Sequence, residues 1–298
     1  MAWKHYRLVF RLQSPLHIGY RKVGNLMQTR RYVPGKNLWA ALTERLVHLA
    51  EQGHRAVAYR EVGTILKAHF RFGYLWPARA TEKDKQENRC PSTRPHFPWD
   101  ESDLAYWDYL YLDGTARTAQ IAEARTAAEG SLHEVEFIAP YTRKGAPVYL
   151  MGDLWVKEEY LPRDVSNVPV RDAWKQALQV LRVGGERGYG WGRVERCLLE
   201  PTTSKATVAG FSWGEQGNEV VVGISEGLPI LAHALATGDN ALSNIQGMVE
   251  PLVGWEQQPD GRYKVSQPII VYTPESTVTR EMQVRINVFG IYEASDSV

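Results

Sequence analysis

A chain of 298 residues with 44% hydrophobic and 23% charged side chains is long enough to bury a sizeable core, and it contains no apolar run of membrane-spanning length. Its net charge of +1 is unevenly spread: residues 1–43 hold eight Lys/Arg and no acid, whereas residues 201–298 hold five basic and eleven acidic groups. This pattern favours a localised polyanion site in the first part of the chain over scavenging of nucleic acid by overall charge, with solvent or a protein facing the acidic end.

Lys4, Arg7 and Arg11 interrupt the N-terminal apolar stretch, so no secretory leader is expected. Cys90 and Cys197 lie far apart and outside any Cys-x-x-Cys pattern. Such usage fits a reducing cytosol and argues against a structural zinc site, so a cytoplasmic protein without membrane contact is expected.

Residues 3–13 alternate, with Tyr6, Leu8, Phe10 and Leu12 on one face and Arg7, Val9 and Arg11 on the other, which predicts a half-buried strand ended by Ser14-Pro15. A basic loop follows, Leu16 to Asn25, containing His17, Gly19, Tyr20, Arg21 and Lys22. Val33-Pro34-Gly35-Lys36-Asn37 then predicts a turn into a helix with Asn37 as N-cap, its apolar stripe running from Leu38 to Leu49 and Gly53 ending it. A second helix is expected over Ala56–Phe70.

Residues 71–130 change character, with a charged run, three spaced prolines and a Trp/Tyr cluster at 105–112 that reads as the small core of an insertion. Segments 131–139 and 148–156 predict a hairpin whose tip carries Arg143 and Lys144. A helix over 170–182 and a strand over 193–199 complete the first half. The expected fold is α+β: a ferredoxin-like βαββαβ domain over 1–200, with the layout of an RNA-recognition domain and an insertion at about 71–130.

After the polar linker 201–204, residues 205–298 predict a strand at 219–224, a short helix at 228–236, a hairpin signal at Asp260-Gly261, and strands within 262–272 and 283–292. This is compatible with a second, degenerate ferredoxin-like half, without the similarity that would make it a repeat.

Between the helix and the strand that close the first half lies Val183-Gly184-Gly185-Glu186-Arg187-Gly188-Tyr189-Gly190-Trp191-Gly192-Arg193. A dinucleotide fold needs its glycines between a strand and a following helix, and a P-loop needs Gly-Lys-Ser/Thr; neither condition is met. A helix cap accounts for one or two glycines, not five. Bare amides beside Arg187 and Arg193 suit an anion, and Tyr189 and Trp191 offer faces to bases.

Ser14-Pro15-Leu16-His17-Ile18-Gly19, followed by Val33-Pro34-Gly35-Lys36-Asn37-Leu38-Trp39-Ala40-Ala41-Leu42, resembles the N-terminal motif of CRISPR-associated RAMP proteins, and Gly184–Gly192 resembles their glycine-rich loop. The two motifs together span the scaffold of residues 1–200 but not the insertion. Lys36-Asn37 departs from the small hydroxyl residues usual after Pro-Gly. About a third of the chain follows the glycine loop, as in the type III effector subunit that grips the 5′ handle of the guide RNA. The resemblance therefore implies a non-catalytic subunit without cofactor or metal, whose partners are CRISPR RNA, the large polymerase/nuclease-like subunit and backbone RAMP subunits. Its RNA-binding residues would be Gly184, Gly185, Arg187, Gly188, Tyr189, Gly190, Gly192 and Arg193, with His17, Arg21 and Lys22 as a facing wall and Arg143 and Lys144 at a hairpin tip.

Two other readings stay open. A RAMP endoribonuclease would use His17 as general base, since His48 on the first helix and His133 on a strand read as structural. A scaffold subunit would work through protein contacts, its glycine loop merely packing tightly. Asp100-Glu101-Ser102-Asp103 reads as a solvated run rather than a magnesium site. The first loop holds no aspartate, which argues against the target cleavage carried out by related backbone subunits.

Overall fold

The computed structural model describes residues 2–49, 55–87, 89–91, 94–118, 120–121, 126–127, 132–258 and 262–295. The elements of the first part are β1 (Lys4–Leu12), β2 (Gly19–Val23), β3 (Leu26–Thr29), α1 (Gly35–Leu49), α2 (Arg55–His69), β4 (Phe70–Phe72), β5 (Trp76–Arg79), α3 (Glu82–Gln86) and α4 (Leu104–Tyr111). They continue with β6 (Leu112–Arg117), β7 (Gln120–Ile121), β8 (Thr126–Ala127), β9 (His133–Ile138), β10 (Val148–Val156), α5 (Val170–Ala177), β11 (Val180–Arg182) and β12 (Arg193–Thr202).

β1 organises the main sheet. It pairs with β10 on one side, Lys4 opposite Val156, and with β12 on the other, His5 opposite Thr202, with a bulge at Val9/Phe10. β4 and β5 occupy the far edge of β10, and β11 that of β12, antiparallel throughout. Tyr6, Leu8, Phe10 and Leu12 share one core with Leu38, Leu42 and Leu46 of α1, Val62 and Leu66 of α2, and Trp174 of α5.

The opposite face of this sheet is covered as well. Val9, Tyr149 and Met151 are buried with Ala78 and Ala80 and touch Val208, while Trp155 joins Trp213, Val220 and Val222 of the second half. The half-buried expectation for β1 is therefore corrected: a second layer packs where solvent was expected. A buried His5–Asp153 pair (2.7 Å) fastens that layer, because the Asp153 carboxylate also accepts the Val208 amide at 3.0 Å.

The expected hairpin between 131–139 and 148–156 does not form. β9 pairs antiparallel with β6 and parallel with β3, in a separate sheet of order β2-β3-β9-β6. The reason is edge availability: β1 and β4/β5 already occupy both edges of β10, and all nine of its residues are buried. Only the connecting turn survives from that expectation, closed by Thr142 N–H donating to the Ala146 carbonyl at 2.8 Å.

Other boundaries shift too. β4 and β5 are scaffold strands, so the insertion begins after Arg79 rather than at 71. Trp107 and Tyr111 join the main core instead of forming one of their own. α1 begins at Gly35, two residues before Asn37, which loses its expected cap role; the Asn37 amide donates to Pro34 O at 3.0 Å. A Cβ at Gly35 would collide with the carbonyls of Phe72 and Phe289. Gly53 and Asp260-Gly261 lie outside the described residues, although Trp255–Gln257 and Tyr263–Val265 on either side of the latter do pair.

Cys90 and Cys197 form a disulfide, Cα–Cα 6.0 Å, tying the segment before the prolines to β12. Spacing along the chain did not announce it, because the pairing is made by the fold. No helix among the described residues is long and apolar enough to cross a membrane.

Beyond β12 the described residues contain no helix, which corrects the expectation of a second ferredoxin-like half. Seven strands form one sheet, in the order Ser212–Gln216, Glu219–Ile224, Met282–Ile286, Tyr292–Ala294, Ala234–Leu235, Ile269–Tyr272, Val249–Leu252. The segment expected as a helix at 228–236 is extended. Ile230, Leu231, Ala232, His233 and Ala234 are all buried, and the surroundings decide against a helix: the Ile230 and Ala236 amides go to the Ser276 and Ile270 carbonyls of other segments.

Candidate nucleic-acid interface

The two motif segments, 169 residues apart at Pro15 and Gly184 in the sequence, are docked on each other. Leaving β1, the Ser14–Gly19 segment is pinned by Leu16 and Ile18, both buried, and by the Leu16–Ile138 bridge to β9. Three bonds then clip the glycine loop to it: Gly185 N–H to His17 O (2.8 Å), Gly192 N–H to Pro15 O (2.8 Å) and Arg193 N–H to Ser14 Oγ (2.9 Å). Val183 N–H to Gly192 O (2.8 Å) closes the base of the loop.

The glycines have different reasons to be there. Gly184 (φ +82°) and Gly192 (φ +75°) combine left-handed backbone with a site where a Cβ would meet the carbonyls of His17 and Val183. Gly190 (φ +82°) has space around it and needs only its backbone freedom, ending the short turn Arg187–Tyr189. Gly185 lies against the His17 ring, and Gly188 has nothing within 4 Å. The amides of Gly185, Tyr189, Gly190, Gly192 and Arg193 are all donated within the protein. Against the expected cradle of bare amides, these five N–H groups hold the loop and are not turned toward an anion.

Of the two loop aromatics, Tyr189 is 70% exposed and Trp191 only 7%. Trp191 packs edge-on against Phe137, centroids 4.9 Å apart, so its expected role as a base platform is withdrawn. Between the two rings lies Arg117 of β6, its guanidinium 4.1 Å from the Tyr189 centroid and 4.4 Å from that of Trp191, with Glu186 at 3.6 Å. Sequence reasoning missed Arg117, which sits in the segment set aside as an insertion.

His17 stands behind the loop rather than in front of it. It is 7% exposed, and its Nδ1 lies 2.7 Å from the Glu136 carbonyl, so Nδ1–H is the donor in that bond. Arg187 is ion-paired with Glu44 of α1. Arg193 is exposed at the start of β12.

The structure does not bring the remaining predicted residues to the loop. Arg21 and Lys22 stand on the β2–β3 hairpin, where Arg21 donates to Gln28 Oε1 (2.6 Å) and lines a separate cleft of about 270 Å³ with Arg30, Arg31 and Glu250. Arg143 pairs with Asp113 (2.8 Å) and Lys144 donates to the Tyr106 hydroxyl (2.6 Å), so both are spent on neighbouring elements. Among the described residues no group of three or more His, Cys, Asp or Glu could hold a metal. The acidic run at 100–103 is used internally: Asp100 pairs with Arg94, Glu101 with His96, and Asp103 caps α4 through the Ala105 amide.

A buried polar cluster joins the two halves beside that second cleft. Tyr74 OH donates to His233 Nδ1 (2.7 Å), and His233 Nε2–H donates to Glu250 (2.8 Å), which also pairs with Arg30 (2.6 Å). Burial pushes the His233 pKa down, against the pull of Glu250. Burial would raise Glu250, but the bonds from His233 and Arg30 hold it below its usual range.

No protein-family model matches this chain. No curated protein matches it either. Among solved structures it is similar to a chain of the Type III-B Cmr-beta bound to cognate target RNA and AMPPnP, state 1, seen by cryo-electron microscopy: TM-score 0.47, 14% identity, covering 92% of this chain and 85% of that one. A chain of Type III-B Cmr-beta bound to cognate target RNA gives TM-score 0.45 at 15% identity, over 92% and 86% of the two chains. A chain of its apo state gives 0.38 at 10% identity, over 67% and 98%.

Proposed function

We propose that this chain is a non-catalytic RNA-binding subunit of a type III-like CRISPR effector complex, gripping the 5′ handle of the guide RNA at its glycine loop. The observation that carries this reading is the docking of Ser14–Gly19 against Gly184–Arg193. It turns two distant motifs into one rim on which Tyr189 stands exposed against Arg117, with Arg187 and Arg193 carried on the same segment. An exposed ring flanked by guanidinium groups is suited to stacking one base and pairing adjacent phosphates.

The topology agrees with the ferredoxin-like reading once the second strand is reassigned. In chain order β1, α1/α2, β4/β5, β10, α5 and β12 form βαββαβ, and in space the strands run last, first, third, second. The type III partners named above, the large subunit and the backbone subunits, belong to this proposal.

Ultraviolet crosslinking of the protein to a CRISPR RNA with labelled 5′ handle tests it, with a scrambled handle as control. A handle-dependent crosslink mapping to 184–193 on intact RNA is expected. Cut RNA, lost again in His17→Ala, would replace this reading with an endoribonuclease. No crosslink to either RNA would leave the scaffold reading.

A further inference from the structure

Three arginines converge just past the glycine loop. Arg45 of α1, Arg182 of β11 and Arg193 of β12 line one cleft of about 580 Å³, together with His48 and Glu44. All three are exposed, and among the described residues none of their guanidinium groups has a carboxylate partner. The one acid of the cleft, Glu44, is already shared between Arg187 and His48. Arg182 and Arg193 are direct cross-strand partners. Like charges placed opposite each other in this way destabilise a strand pair unless something neutralises them.

We propose that this cleft binds successive phosphates of an extended phosphate-bearing polymer, the stretch of RNA strand next to the part held at Tyr189. The identification of the polymer as RNA rests on the function proposed above; the cleft itself does not. Guanidinium forks match phosphate oxygens in pairs, and cations supplied by three separate elements suit an extended chain better than one compact anion. Arg193 belongs to both regions, its amide clipped to Ser14 Oγ and its side chain in the cleft, so a strand crossing Tyr189 continues into it.

The test compares the full chain with the Arg45→Gln/Arg182→Gln double variant, with Arg45→Lys/Arg182→Lys and with Arg187→Ala. Binding of labelled single-stranded RNA is followed by anisotropy over a salt series, and stabilisation by inorganic tripolyphosphate by thermal melting. The Gln double variant, at least as stable as the unmodified chain without ligand because the Arg182–Arg193 repulsion is relieved, should lose about tenfold in affinity per arginine. Its slope of log K against log salt should flatten by about 1.4, at about 0.7 per phosphate contact of a single strand. The Lys double variant should keep the slope. An unchanged affinity and slope in the Gln variant overturns the cleft, while a loss in Arg187→Ala alone would keep the glycine-loop reading. If the unmodified protein binds no RNA, the RNA reading falls. Stabilisation by tripolyphosphate that vanishes in the Gln variant would then keep the cleft as a polyphosphate site, and no such stabilisation would overturn it as well.

Discussion

Arg117 and Tyr189 form a stacked pair: the guanidinium of a β6 residue lies 4.1 Å from the ring centroid of a glycine-loop residue. The pair supports the most exposed aromatic of the loop from behind and leaves the ring open to solvent. Tyr189→Ala should weaken RNA binding by about 1–3 kcal/mol, the range for one stacked base, while costing stability no more than the one Arg117 contact, about 0.5–1 kcal/mol. Arg117→Ala removes the backing and two cation–π contacts of about 0.5–1 kcal/mol each, so it should lower both stability and affinity. Normal affinity of Tyr189→Ala in anisotropy would take the ring out of the interface.

The glycines should separate into two groups under substitution. Gly184→Ala and Gly192→Ala each face a left-handed backbone cost of about 1–2 kcal/mol plus a collision with a carbonyl, so each should destabilise by at least that much in urea unfolding. Gly188→Ala meets nothing within 4 Å and should stay within about 0.5 kcal/mol of the unmodified chain.

Arg187 is ion-paired with Glu44, which on the proposed reading would compete with phosphate for it. The pair is about half exposed, so Glu44→Gln should change stability by no more than about 1 kcal/mol. RNA affinity should rise a few-fold, because a guanidinium is freed and a repelling charge is removed. If affinity is unchanged, Arg187 is not part of the grip.

His233 makes stability pH-dependent in a definite direction. Its folded pKa lies below the unfolded 6.5, so the unfolded chain binds more protons in that window. Its contribution is full above about pH 6.5 and is lost as pH falls below that value. Glu250, also depressed, adds a loss of the same sign below its ordinary 4.5. Melting temperatures between pH 7.5 and 5 should therefore fall more steeply for the unmodified chain than for His233→Asn; parallel curves would refute the assignment.

The Cys90–Cys197 disulfide spans 107 residues. In the chain-entropy account a loop of that length contributes roughly 4–5 kcal/mol. Reducing agent should lower the melting temperature of the unmodified chain and leave that of Cys197→Ser, already lowered, where it is.

What was legible in the sequence was what local chemistry decides. The alternation of Tyr6 to Leu12 placed β1, the stripe from Leu38 to Leu49 placed α1, and the glycine spacing located the loop. What failed was decided at a distance. β9 has the pattern of a hairpin partner for β10, but β10 has no edge left to give it. Residues 228–236 are apolar enough for a buried helix or a buried strand, and only their surroundings choose. Arg117 carries no local signature; it matters because β6 ends beside the loop.

If the chain binds RNA as proposed, the covering of the main sheet decides how it would do so. In an RNA-recognition domain the open sheet is a table on which two or three bases lie side by side on aromatic rings. Here the corresponding face is occupied by Val208, Trp213 and their neighbours, stacked on Val9, Met151 and Trp155. A polymer is left with a rim, one exposed ring and a row of guanidinium groups. A rim of that kind holds a strand by its backbone and by the presence of a base more than by that base's identity. Discrimination between handle sequences would then have to come from strand shape or from surfaces contributed by neighbouring subunits.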